Sequence, residues 1–210
     1  MTHTIRAFDF GGSGVKTAVY DVTSSGATLA SKIERFEAPD YPRFSRWLAE
    51  RVDVRGPVLA IAIGTSIGIA VSDEAGCIVR VRRDRPLECG QIRLRTSASN
   101  DEAWWALGTA GLEEQQAKKG RADGAKQFGY RVGAFAAQYA ALFHARTVVL
   151  SGGLIAFNWE DMREATEAEF AHNVPSWMSD KPTLLASEWG REAALVGAAR
   201  YAYSRMVPRV

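Results

Sequence analysis

An α/β fold, a twisted mixed sheet flanked by helices, is what this 210-residue sequence predicts, and three observations predict it. The chain opens with an apolar strand, Ile5–Phe10, then a glycine-rich turn and a second strand, Val15–Val22. Val58–Ile63 is a continuous apolar run, as a strand covered on both faces requires. A long amphipathic segment, Ala125–Phe143, leads almost at once into a short apolar strand, Thr147–Leu150. Strands come first and helices then alternate with single strands, which is the order of a layered α/β protein.

Taken in order, Ser24-Ser25-Gly26 is a turn signal after the second strand, and a third strand runs to about Phe36. Phe44, Trp47, Leu48 and Val52 recur at helical spacing. Ile67–Val71 continues the Val58–Ile63 run, and a turn at 73–76 leads to a strand, Cys77–Val81. A short strand is expected at Gln91–Arg95. A helix is expected to start near Ser99, because Ser99 and Glu102 have capping-box spacing. In the long helix, Ala125, Phe128, Val132, Phe135, Ala136, Tyr139, Leu142 and Phe143 form one apolar stripe. After Ser151-Gly152-Gly153 the pattern predicts a helix over about 160–172, a strand at Thr183–Ala186 and a closing helix over about 192–205.

Composition narrows the function. With 47% hydrophobic residues the chain can bury a substantial core. A net charge of +2 creates no general field for nucleic acid or an anionic membrane. The densest basic cluster, Arg80, Arg82, Arg83 and Arg85, is interrupted by Asp84 and fits a solvated strand and turn. Cys77 and Cys89 are the only cysteines, no CxxC occurs, and His3, His144 and His172 are far apart, so no zinc site is expected. The start, MTHTIRAFDF, has no signal-peptide core, and no apolar run reaches membrane-spanning length. A soluble, cytoplasmic protein is expected.

The stretch Asp9-Phe10-Gly11-Gly12-Ser13-Gly14-Val15-Lys16 carries the most chemistry. Glycines between two strands permit a tight turn and bring bare N–H groups against a phosphate. Ser13 offers a hydroxyl, Lys16 a cation, and Asp9 a carboxylate that can hold magnesium through water. The same residues also suit a plain hairpin turn. The spacing is neither that of a Walker A loop nor of a dinucleotide fingerprint.

Asp9–Lys16 resembles the D-x-G-G-T-x-x-K phosphate loop of the ROK family of sugar kinases, part of the actin, hexokinase and Hsp70 ATPase superfamily, with Ser13 in place of Thr. Gly64-Thr65-Ser66-Ile67-Gly68 resembles the family's second phosphate loop. Val148–Leu154, with Gly152-Gly153, resembles the strand and turn that sit against adenosine, and Ala194–Ala199 resembles the closing helix. The resemblance implies a ribonuclease-H-like (actin-like ATPase) fold with one lobe incomplete, since 210 residues do not hold two full lobes. The expected division is an N-terminal lobe, 1–115, with the phosphate loop, and a C-terminal lobe, 116–210, with the Gly-Gly turn.

Two alignments of the middle compete. In one, Gly64–Ser66 is the second phosphate loop and Glu88-Cys89-Gly90-Gln91 stands for the sugar-contacting E-x-G-H, with Gln91 replacing the zinc-binding His. That alignment loses the segment that normally carries the catalytic Asp. In the other, Ala60–Val71 is the fourth strand of the first lobe and Asn100-Asp101 matches the N-D motif that holds the general base. The second is preferred because it keeps an acid for chemistry. A plain helix N-cap remains the other reading of Ser99–Asp101. The resemblance thus implies ATP-dependent phosphorylation of a sugar or small polyol. Its catalytic residues are Asp101 and Asp9, and Asn100 or Glu88 contacts the sugar. Gly11, Gly12, Ser13, Gly14, Lys16, Gly64, Thr65, Ser66, Gly152 and Gly153 bind Mg-ATP. The alternative is a nucleotide- or sugar-binding regulator without turnover. The tryptophans Trp104, Trp105, Trp159, Trp177 and Trp189 suit either a core or a homodimer whose second copy completes the cleft.

Overall fold

The computed structural model describes residues 2–11, 14–36, 57–74, 79, 93–95 and 100–206. Two sheets dominate it. The first is built from β1 (His3–Gly11), β2 (Gly14–Val22), β3 (Ala27–Leu29) and β4 (Glu34–Phe36). β1 and β2 form an antiparallel hairpin with Gly11 opposite Gly14 and Asp9 opposite Lys16. Side chains alternate along it as a half-covered sheet requires. Ile5, Ala7, Ala18, Tyr20 and Val22 are buried while Thr4 and Arg6 are exposed. Thr23 closes the next turn by accepting the N–H groups of Ser25 and Gly26 on its hydroxyl.

The expected third strand is split. β3 pairs with the far part of β2 and β4 with the part near the glycine turn. Between them Ser31 turns its hydroxyl to the Val19 N–H at 2.9 Å, so a side chain replaces the ladder there.

The second sheet has the order β10-β9-β5-β6, from β5 (Val58–Ile63), β6 (Ile67–Ser72), β9 (Thr147–Ser151) and β10 (Thr183–Ala186). β5 and β6 are an antiparallel hairpin, whereas β5–β9 and β9–β10 are parallel. This corrects one expectation: Ala60–Val71 is not a fourth strand of the first lobe but most of a hairpin in the other sheet, because β5, which would have extended the first sheet, pairs with β9. Among the described residues β1 pairs only with β2. The β5–β9 pairing also joins chain segments on both sides of residue 115.

Residue size decides which face of β5 meets which layer. Leu59, Ile61 and Ile63 pack with Phe128, Val132 and Phe135, while Ala60 and Ala62 lie with Ala70 and Ala193 on the other face. The large residues face α3 (Arg121–Leu142) and α4 (Gly153–Asn173). The small ones let α5 (Ala193–Met206) approach closely. Further along α5, Leu195, Val196 and Ala199 bury the apolar face of β1 and β2. One helix therefore packs on the first sheet and touches the second with its first residue.

The remaining elements are β7 (Arg93–Arg95), β8 (Asn100–Glu102), α1 (Ala103–Ala106) and α2 (Thr109–Lys119). β7 and β8 form a separate two-stranded ribbon. The helix expected from Ser99 starts instead at Ala103, because residues 100–102 spend their backbone groups on β7. The stripe on α3 is buried from Ala125 to Tyr139, but Leu142, at the helix end, is exposed. α4 begins at Gly153, seven residues before the expected start, because Leu154, Ile155 and Asn158 already line its inner face. The helix of Phe44, Trp47, Leu48 and Val52 lies outside the described residues, as do Cys77, Cys89 and the arginine cluster. Among the described residues no helix is long and apolar enough to cross a membrane.

Tyr20 sits under α5 with its hydroxyl buried and unpaired among the described residues. Burial, and secondarily the charge of Glu192, pushes its phenol up to about 12 from 10.0. The neutral phenol is the form the fold accommodates, so its contribution is complete below pH 10 and is lost as pH rises toward 12. Tyr20→Phe is expected to keep or raise the melting temperature at neutral pH, since an unpaired buried hydroxyl costs about 1–3 kcal/mol. It should also flatten the alkaline loss of stability. Thermal melts of both proteins from pH 7 to 11 check this, and a marked destabilisation of the variant at pH 7 would show that the hydroxyl has a partner.

Candidate functional site

Parallel pairing brings the carboxyl ends of β5, β9 and β10 to one side of the second sheet, where ligands of open α/β sheets bind. The turn after β5 is Gly64-Thr65-Ser66, with the Gly64 N–H donating to the Ser66 carbonyl at 3.0 Å. The Thr65 and Ser66 side chains are exposed. Thr109, the first residue of α2, donates its N–H at 3.1 Å and its hydroxyl at 3.4 Å to the Gly64 carbonyl. The positive end of the α2 dipole is thereby held on this turn.

The turn after β9 reaches the same place. Gly152 has φ +96°, a left-handed conformation that glycine adopts without strain. A Cβ there would run into the Ile63 carbonyl, so the backbone of one turn lies directly on the end of β5. The Ser151 hydroxyl donates to the Ile61 carbonyl at 3.4 Å, and Gly152 is the N-cap of the 21-residue α4. At Gly153 a Cβ would meet nothing within 4 Å. Neither α2 nor α4 has a side-chain N-cap bond; their N-caps are Gly108 and Gly152. Two helix N-termini without side-chain caps thus converge on Ile63–Ser66, and their dipoles favour an anion between them.

The first glycine turn belongs to the other sheet. Across β1 and β2, Lys16 Nζ donates to Asp9 Oδ2 at 3.2 Å, with the two side chains 26% and 14% exposed. Gly11 and Gly14 pair at the hairpin end, while Gly12 and Ser13 lie outside the described residues. α5 holds the two sheets, since Ala193 packs on Ala60 and Ala62 while Leu195 packs under β1 and β2.

Of the residues expected to form the site, Gly64, Thr65, Ser66, Gly152 and Gly153 come together, and Asp9 and Lys16 form a pair. Asn100 and Asp101 stand on β8, opposite Arg95 and Leu94, and close before the buried Ala103. Glu88 lies outside the described residues. Thr109 is a residue that sequence reasoning missed. Its signal was Gly108-Thr109 ahead of the helical Leu112, read then as part of a helix already begun at Ser99.

Among the described residues no three His, Cys, Asp or Glu side chains converge as a metal cage. Magnesium fits all the same, because it takes one or two carboxylates together with phosphate oxygens and keeps several waters. Asp9 is the carboxylate at hand, its Oδ2 accepting from Lys16.

No family model matches the sequence, and no curated protein matches it significantly. Solved structures do match. One is a ROK-family glucokinase from Streptomyces griseus in complex with glucose and AMPPNP, at TM-score 0.69 and 14% identity over 95% of this chain and 99% of that one. The inorganic polyphosphate/ATP-glucomannokinase of Arthrobacter sp. strain KM matches at 0.67 and 14% over 96% and 99%. A ROK-family transcriptional regulator, a homologue of the E. coli MLC protein, matches at 0.67 and 11% over 93% and 76%. The shared fold is the actin-like ATPase fold of the ROK sugar kinases, and the chain is short beside those kinases.

The two glycines of the β9 turn are expected to behave differently. Gly152→Ala forces a Cβ into the Ile63 carbonyl at a left-handed φ. It should cost about 1–3 kcal/mol or more of stability. Gly153→Ala enters open space in the first turn of a helix and should leave the melting temperature unchanged or slightly raised. Paired thermal melts decide, and equal loss in both variants would sink the distinction.

Proposed function

From the fold of the ROK sugar kinases, we propose that the chain binds Mg-ATP, its phosphates held between the Gly64–Ser66 turn and the Asp9–Lys16 hairpin. The observation that carries this is the convergence of the α2 and α4 N-termini on Ile63–Ser66. Exposed Thr65 and Ser66 hydroxyls and the Lys16 ammonium supply donors to phosphate oxygens. Magnesium, when bound, neutralises the polyphosphate, and Asp9 would hold it through water. Gly11, Gly12, Ser13 and Gly14 would bring backbone N–H groups to the same phosphates, and Gly153 leaves room for the nucleotide.

Phosphoryl transfer from ATP to a sugar or polyol hydroxyl is the reaction such a cleft serves. It requires positioning, charge stabilisation and a carboxylate to take the hydroxyl proton. Asp101 is the proposed base, with Asn100 and Glu88 as sugar contacts. Binding without turnover is the second reading, and one observation favours it. The hairpin β5–β6 belongs to the second sheet, as in the alignment that loses the segment carrying the catalytic acid.

Calorimetric titration with Mg-ATP tests the binding, and ADP release with a pool of hexoses, amino sugars and polyols tests the transfer. Asp9→Asn should weaken Mg-ATP about tenfold and leave metal-free ATP little changed. If Asp101 is the base, Asp101→Asn should lower sugar-dependent ADP release at least about a hundredfold, or about 2.7 kcal/mol, with an unchanged melting temperature. Binding of Mg-ATP with no sugar-dependent release in wild type would establish the second reading. No binding of Mg-ATP at all would end both.

A further inference from the structure

An exposed indole stands beside the phosphate turns, at the carboxyl end of β10, and the phosphate chemistry has no use for it. Its backbone is tightly held. The Trp189 N–H donates to the Ser187 hydroxyl at 3.2 Å, and the Glu192 N–H donates to the Trp189 carbonyl at 2.8 Å. Ser187 is itself tied to β9, its N–H donating to the Leu150 carbonyl at 2.7 Å. The residue nevertheless remains 43% exposed. A single exposed aromatic is ordinary on a protein surface. The location of this one is specific.

The Cβ position of Gly190 lies 3.6 Å from the Ala156 Cβ, so the Trp189–Gly190 turn rests on the first turn of α4. The next residue of α4, Phe157, is 61% exposed. In the order β5, β9, β10, the carboxyl ends thus lead into the Gly64–Ser66 turn, then Gly152-Gly153, then the turn of Trp189. Two strand spacings, about 10 Å, separate the first from the last. An extended ligand with a polyanionic tail and a flat ring matches that sequence of surfaces.

Resting on the Mg-ATP reading above, we infer that Trp189 is a stacking platform for a nucleobase, so that the chain takes nucleoside triphosphates in preference to inorganic polyphosphate. The distinction matters within this fold, because the Arthrobacter protein is by its name a polyphosphate/ATP kinase. The phosphate turns alone cannot discriminate between the two donors, since both offer the same oxygens. A π-surface can, because inorganic polyphosphate has no ring to stack, and it tolerates any base.

Calorimetric affinities for Mg-ATP and Mg-tripolyphosphate, measured on wild type, Trp189→Ala and Trp189→Phe, test it. Wild type is expected to bind Mg-ATP at least about fivefold more tightly than Mg-tripolyphosphate, the low end for one base stacked on an aromatic ring. Trp189→Ala should lose that preference while keeping its tripolyphosphate affinity, and Trp189→Phe should retain most of it. Equal affinities in wild type, or a preference that survives Trp189→Ala, overturn the platform and leave the phosphate reading intact. Parallel loss of both ligands in both variants also overturns it, because the residue would then only support the fold. Failure of wild type to bind either ligand ends the Mg-ATP reading and this inference with it.

Discussion

The parallel pairing of β5 with β9 is the constraint on which the rest depends. It sets Ile61 beside Leu150 and Ala62 beside Ser151, so the two strands end level with each other. Gly152 can then lie on the Ile63 carbonyl, and only a residue without Cβ fits there. From that contact the chain leaves as α4, while Thr109 anchors α2 to the other side of the same turn. The charge environment of the candidate site is therefore a product of strand register. Shifting β9 by one residue would turn its buried side chains to the opposite face and separate the two turns.

A second layer of the design is the joint between the sheets. The first residue of α5, Ala193, meets Ala60, Ala62 and Ala70 of β5 and β6, and Leu195, Val196 and Ala199 pack under β1 and β2. Alanine on both sides of a contact allows backbones to approach, whereas Leu195 and Val196 fill the wider space under the hairpin. Burial of such aliphatic side chains contributes about 1.5–3 kcal/mol each. The position of the Asp9–Lys16 hairpin relative to the second sheet thus rests on one helix. The Tyr20 hydroxyl beneath it, without a partner among the described residues, is a cost that this packing tolerates.

The use of β5 in the second sheet leaves the first one short. Among the described residues it is a meander around β2, and β1 has a partner on one side only. The Asp9–Lys16 pair lies on that sheet, whereas the Gly64–Ser66 and Gly152-Gly153 turns lie on the second one. Function lives in sites rather than in a fold as a whole, so a short first sheet need not remove a site built on the second.

Local pattern determined much of this protein. Buried strands such as Thr147–Ser151 declare themselves by unbroken apolar runs, and α3 by its stripe from Ala125 to Tyr139. The glycine turns were legible because a backbone that must turn tightly excludes other residues. Sequence alone did not decide which sheet Val58–Ile63 would join. A continuous apolar strand suits the centre of either sheet, and hydrophobicity carries no address. The alternation of Leu59, Ile61 and Ile63 with Ala60 and Ala62 acquires meaning only when α3 and α5 are in place to read the two faces. For the same reason the pairing of Asn100–Glu102 with Arg93–Arg95 overrode a capping-box pattern. A cap satisfies one or two backbone groups, whereas a strand partner engages the whole segment. Tertiary structure decided partners, since non-local contacts outweigh local preference wherever the two compete for the same backbone groups.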